Sequence, residues 1–306
     1  MAEDALTTLA IGIVGGAIRV GTPYLFVSLG ECITEKSGRV NLGLEGILVA
    51  GAMSAYAAAY LSQSAWTGVV CAAGVGLLLG LLHGLVCSLP RVNDIAFGIA
   101  LMLLGTGLAF FLGKPYIQPQ APQLASLPLG TWLEDPRWRT ALAVNPLFPL
   151  GLLLAGVLHW GLRSTRPGLV LRLVGDHEGA ARALACPVRL VRILATAAGG
   201  ACAGIGGAYL SLVYPGSWSE GLSSGQGIMA VALVIFARWR PLGCLAAALL
   251  FGAAGALGPA LQAIGYSAGY HLFNAAPYAL TLAIMIASSR PRQTLAGAPG
   301  ELSLTR

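Results

Sequence analysis

Charge is scarce in this sequence. Asp, Glu, Lys and Arg together make up 10% of its 306 residues, and histidine occurs only 4 times. Soluble chains carry about 25% charged residues, so the deficit argues against a soluble protein. Also missing is any GxxxxGK[ST] stretch, so the chain offers no phosphate cradle for ATP. No CxxC pair occurs either; Cys32, Cys71, Cys87, Cys186, Cys202 and Cys244 lie far apart, mostly in apolar runs, and read as small buried hydrophobes. The start, MAEDALTT, lacks the basic region of a secretory signal, so the first apolar run is expected to be retained. Finally, LLLGLLHGLV and LAAALLFGAAGAL show no alternation of apolar and polar residues, which excludes the strands of a membrane barrel.

What is present is apolar: 56% hydrophobic residues and a mean hydropathy of +0.76. Crossing a hydrocarbon core of ~30 Å takes about 20 helical residues. Runs of that kind lie near residues 8–30, 42–61, 66–88, 93–112, 143–160, 193–213, 225–238, 242–260 and 273–289. The expected fold is all-α, a single polytopic transmembrane domain over 1–306 with about nine (8 to 10) spans.

The 18 Lys and Arg residues, for a net charge of +6, are spread over the breaks between runs and form no basic face, so no nucleic-acid partner is expected. They encode orientation instead. The connection 163–192 holds six arginines against Asp176 and Glu178, which assigns it to the cytoplasm by the positive-inside rule. Counting from there places Lys36 to Arg39, Arg91, the Arg238 to Arg240 turn and the tail with Arg290 and Arg292 inside, hence a cytoplasmic C-terminus. The N-terminus, the loop 113–142 and the loop with Trp218 and Glu220 fall outside. Lys114, Arg137 and Arg139 are then external, partly balanced by Glu134 and Asp135. The external stretch GKPYIQPQAPQLASLPLG is proline-rich and predicts an extended, stiff excursion that either contacts a partner or serves as a tether.

Polar residues in or beside spans must face protein or water, which marks Glu31, Asn41, Glu45, Asn93, Asp94, Gln226 and Asn274 as candidates for a substrate path. For some of these a plainer role is as good. Glu31, Glu35, Lys36 and Arg39 suit ion pairs at the membrane surface, and Asn93 with Asp94 suits the cap of the helix that follows. Glu45 lies one turn into an apolar helix, where a carboxylate must find a partner or water. His83 and His159, with no second ligand nearby, read as packed side chains and not as metal ligands. SGRVNLGLEG and SEGLSSGQG are similar Gly-interrupted polar segments, each followed by a span and a tryptophan turn, in the manner of an inverted repeat. Gly265-Tyr266-Ser267-Ala268-Gly269, with His271, matches the GxSxG pattern of hydrolases. Its flanks are helical and no acid or base is placed, so an intramembrane hydrolase is the weakest reading.

The connection itself reads STRPGLVLRLVGDHEGAARALACPVRLVR. Gly175 and Asp176 offer a helix start and Pro187 an end, and the alanines between give a low profile suited to a groove on another protein. GECITEKSGRVNLGLEG, LRLVGDHEGAARALACPVRLVRILA, GGACAGIGGAYLSL and VIFARWRPLG, in this order, resemble the membrane permease subunits of bacterial ABC importers of the nucleoside and simple-sugar branch, related to ribose and branched-chain amino acid permeases. The resemblance runs from about Thr22 to Pro291. It implies a coupling helix at Gly175, Asp176, Ala180, Ala181 and Leu184, seated on a separate ATPase subunit that holds ATP and Mg. It also implies a second membrane permease subunit, identical or paralogous, an extracytoplasmic substrate-binding protein, and a location in the lipid of the bacterial inner membrane. The chain departs from the family at Gly175-Asp176-His177-Glu178 (commonly Gly-Glu-Asn-Pro), at Ala185 (usually glycine) and at Asn93-Asp94 (usually Asn-Gln). The expected substrate is a nucleoside, with a simple sugar or a riboflavin-like compound as alternatives. A stand-alone ion-coupled carrier using Asp94 and Glu45 is the competing mechanism.

Overall fold

Each apolar run becomes a helix in the computed structural model, which describes residues 2–128, 138–139, 143–266, 275–288 and 297–304. The order is α1 (Ala2–Lys36), α2 (Leu44–Ser62), α3 (Ala65–Val86), α4 (Asp94–Gly113), a two-stranded ribbon of β1 (Leu127–Pro128) and β2 (Ala143–Val144), α5 (Leu147–Ser164), α6 (Arg166–Asp176), α7 (Glu178–Ala183), α8 (Val188–Leu212), α9 (Gln226–Phe236), α10 (Pro241–Ala263), α11 (Ala276–Ser288) and α12 (Gly300–Leu304). Among the described residues, seven helices are long and apolar enough to cross a membrane: α1 to α5, α8 and α10. The remaining two of the nine expected runs form α9, of 11 residues and so shorter than a full crossing needs, and α11, of which 13 residues are described. Ser267, His271 and Asn274 lie outside the described residues, as do Glu134, Asp135, Arg137, Arg290 and Arg292.

Close packing follows from small residues. α3 lies along α8, and at Gly76, Gly80, Gly84, Gly200 and Gly204 the two backbones meet with no room for a Cβ atom. With lipid on one side and protein on the other, such contact is a main source of helix association. α1 runs along α10 through Gly16, Gly21 and Gly252 in the same way. Large apolar side chains such as Leu103, Phe111, Leu153 and Trp160 remain exposed on α4 and α5, as lipid-facing residues should.

The connections sort to two opposite ends of the bundle. At one end the tips of α1, α6, α7 and α12 meet the turn before α10. At the other, Tyr56 Oη of α2 donates to Pro119 O at 2.8 Å, Leu124 N donates to Leu212 O at 3.2 Å, and Trp218 packs on Gly113. The connection 163–192 and residues 113–128 thus lie at opposite ends of the bundle. The proline-rich stretch is not the free excursion its composition predicts, however: Ala121 and Leu124 are buried in the core formed by α2, α3 and α8. Anchors from α2 and α8, remote in sequence, hold it down.

Candidate functional site

The first site element is a carboxylate set among helix starts. Glu45 is buried in the first turn of α2, and its side chain accepts hydrogen bonds from Ser223 Oγ, from Gly225 N at 3.2 Å and from Gly227 N at 2.6 Å. The last two amides open α9, which otherwise has no side-chain cap. A single negative charge thus faces the positive ends of two helix dipoles, the environment in which a buried carboxylate is best tolerated. Gly227 is required there: a Cβ would come within 2.6 Å of Glu45 Cα.

Depth follows from α4. Its 20 residues span about 30 Å. Gly46 packs on the backbone of Met102, near the middle of α4, whereas Trp218 packs on Gly113 at its end. The chain between Val213 and Gly225 therefore descends without α-helix from the end of the bundle to its middle. From there the 11 residues of α9, about 16 Å long, complete the crossing to Trp239. The stretch Ser37 to Gly43 is likewise non-helical and leads into α2 at the same level. The two segments that look alike in sequence thus meet at Glu45. Irregular backbone at such depth is tolerated only where it is buried in protein or lines a wet cavity.

The remaining path candidates divide by how fully they are bonded. Asn41 is fully buried; its backbone N donates to Glu31 Oε1 at 2.8 Å and its Oδ1 accepts from Gly43 N at 2.9 Å. Asn41 Nδ2, Glu31 Oε2 and Gln226 Oε1 are buried without a hydrogen-bond partner among the described residues. Asn93 caps α4, accepting from Ile95 N at 2.9 Å and Ala96 N at 3.0 Å. Asp94 forms an ion pair with Arg39, both largely buried, on the wall of a polar cavity of about 380 Å³ that Glu178, Arg192 and Glu301 also line. Of the ion pairs expected at Glu31, Glu35, Lys36 and Arg39, that of Arg39 forms, with Asp94, whereas Glu35 and Lys36 have other partners among the described residues. Glu35 accepts from Trp239 Nε1 inside the bundle, and Lys36 Nζ donates to Gly297 O at 3.1 Å. His83 is buried against Phe97 and lies 3.6 Å from Cys87 Sγ.

The second site element is the connection from Arg163 to Arg192. It holds two helices, not one: α6 ends at Asp176, and α7 begins only at Glu178, after His177, whose Nδ1 accepts from Ala180 N at 3.2 Å. Gly175 is wedged against the backbone of Lys36 and Gly38 at the tip of α1, so its role is close approach and not helix initiation. Of the other residues singled out there, Ala181 is buried against Val174 and Val188, whereas Asp176, Ala180 and Leu184 are exposed, Leu184 to 69%. Glu178 bonds Arg192 at 2.7 Å and Arg182 one turn on. Burial pushes the Glu178 carboxyl up, but the two guanidinium groups outweigh it and hold its pKa below the ordinary 4.5. Sequence reasoning missed Arg192 and Glu301 as members of this cluster; the net charge of each segment was legible, but their pairing was not.

The sequence matches the family described as branched-chain amino acid transport system / permease component over residues 13–289. Among similar proteins is TsgC13 of Haloferax volcanii, named for a glucose ABC transporter permease, at 33% identity over 259 residues, covering 82% of this chain and 78% of that one. The nucleoside ABC transporter permease protein NupC of Lactococcus lactis subsp. cremoris is 31% identical over 263 residues, with 81% and 82% covered. The guanosine ABC transporter permease protein NupQ of Bacillus subtilis is 28% identical over 276 residues, covering 83% of each chain.

Proposed function

From the premise that this chain belongs to the branched-chain amino acid transport permease family, and so is a multi-pass ABC transporter permease subunit that works with an ATPase, we propose that it carries nucleosides into the cell. The observation that carries the path is the break at Glu45. There two non-helical segments meet at mid-depth, and the amide of Asn41 and the carbonyl of Gln226 keep unused hydrogen-bonding atoms. Such groups suit a neutral, hydroxyl-bearing molecule, which needs donors and acceptors but no counter-charge. Within this path Glu45 and the Asn93-capped start of α4 organise the walls, and Asp94 is neutralised by Arg39.

The exposed face of α7, with Ala180 and Leu184 standing on the buried Ala181, is the surface offered to the ATPase, and Gly175 and Asp176 fix its base. ATP and Mg are held by that partner, which drives the cycle by drawing α7 with it. The end of the bundle bearing α7 and α12 faces the cytoplasm, as its arginines favour. A second permease chain and an extracytoplasmic binding protein complete the importer in the inner membrane. A simple sugar is the second reading, favoured by the 33% identity to TsgC13.

Uptake of labelled uridine, guanosine, glucose and riboflavin by proteoliposomes holding the complete importer tests both. Saturable, ATP-dependent uridine or guanosine uptake is expected. Exclusive glucose or riboflavin uptake reassigns the substrate, and uptake that persists without the ATPase reassigns the mechanism to an ion-coupled carrier.

A further inference from the structure

The last described segment of the chain is bound to the start of α7. Glu301 Oε1 accepts from Glu178 N at 2.7 Å, and Glu301 Oε2 lies 3.7 Å from Arg192 Nη2. Arg192 is itself nearly buried and held in place, its Nε donating to Ser37 O at 3.1 Å and its Nη1 to Glu178 Oε2 at 2.7 Å. Around this cluster the segment is anchored at further points. Lys36 Nζ donates to Gly297 O, Gly300 sits against Asp176 O with no room for a side chain, and Ala298 and Leu302 pack on the core that contains Trp239 and Cys244.

A helix of six residues cannot hold its own shape or direction, because nucleation costs more than so few hydrogen bonds return. The direction of α7 is therefore set by what its first turn is tied to. His177 supplies one acceptor from the same connection, and Glu301 supplies the other from 123 residues away. We propose that Glu301 is a positioning residue for energy coupling: through Glu178 and Arg192 it fixes the angle at which α7 meets the ATPase and ties that motion to the tips of α1 and α8. The inference rests on the permease reading above. It adds a role for the C-terminal segment, as the clamp on the coupling helix.

The test uses the complete importer in proteoliposomes, with Glu301→Ala and Glu301→Gln. The alanine variant is expected to keep the ATPase bound and hydrolysing, while uridine transported per ATP falls about tenfold, the scale of one lost charge-assisted hydrogen bond. Glutamine keeps an acceptor for Glu178 N–H but no charge for Arg192, and is expected to fall between the alanine variant and wild type. Hydrogen exchange over residues 177–185 is expected to quicken in the same order. An unchanged transport-to-ATP ratio in both variants, or unchanged exchange, overturns the clamp; if the alanine variant fails to insert, the glutamine variant decides. A wild-type complex that moves no uridine, while exchange still quickens in Glu301→Ala, strikes the transport reading and not the clamp.

Discussion

Glu45 and Gly227 stand 182 positions apart in the sequence, yet the carboxylate of one accepts the amide hydrogen of the other at 2.6 Å in the middle of the bundle. This contact joins the start of α2 to the start of α9 and leaves no space at Gly227 for even a methyl group.

Gly227→Ala is accordingly expected to destabilise the protein by about 1–3 kcal/mol, since the added methyl meets backbone and not a yielding side chain. Thermal unfolding in detergent measures it. An alanine variant as stable as the parent would show that the two segments do not touch.

Glu45→Gln keeps the shape and removes the charge facing two helix dipoles, with an expected cost of about 1–2 kcal/mol. Glu45→Ala also strands three donors and is expected to cost more. The order of the two variants, read from melting temperature and from uptake, is the informative result.

How much of this was legible in the sequence differs by distance along the chain. Helix positions follow from hydropathy within one segment, so the seven long spans coincide with runs that composition alone marks. Glu45 is conspicuous because a carboxylate in an apolar run needs a partner, but the identity of that partner, at Ser223 to Gly227, depends on how α9 is placed. Asp94 reads as a path carboxylate or, with Asn93, as a helix cap, and becomes an ion pair only once Arg39 is brought beside it. The fold of the proline-rich stretch escaped for the same reason: proline predicts stiffness, whereas burial of Ala121 and Leu124 is decided by Tyr56 and Leu212.

Asp94→Asn leaves Arg39 largely buried without its counter-charge, and breaking a buried pair in this way costs about 3–5 kcal/mol. Exchanging the two residues, Arg39→Asp with Asp94→Arg, is expected to recover part of that loss. A double-mutant cycle on unfolding measures the coupling; additive losses would mean that the pair contributes nothing.

On α7 and at its C-cap, Ala180→Arg and Leu184→Asp change exposed positions and are expected to alter stability by less than about 0.5 kcal/mol while abolishing most uptake. Ala181→Arg is the poorer probe, because Ala181 is buried and the substitution disturbs packing as well as docking. Co-purification of the ATPase with each variant, alongside uptake, separates lost docking from misfolding.

Acid should loosen the connection. Glu178 has its pKa lowered in the folded protein, burial being outweighed by Arg192 and Arg182, so its stabilising contribution is full above the ordinary value of 4.5 and disappears as pH falls through the lowered value. Proteolysis of the 163–192 connection at stepwise lower pH is expected to accelerate in this window, and Glu178→Gln to be fast at every pH. Equal acid sensitivity in both proteins would exclude Glu178 as its source.

The glycine seam between α3 and α8 has a bearing on the transport cycle. Backbones that touch at Gly76, Gly80, Gly200 and Gly204 leave no room for a side chain along the seam, so either helix can turn about its own axis only by driving a larger residue into the partner chain. The two helices are therefore expected to tilt as one plank, which leaves the bending to the half-length α9 and the irregular chain that precedes it.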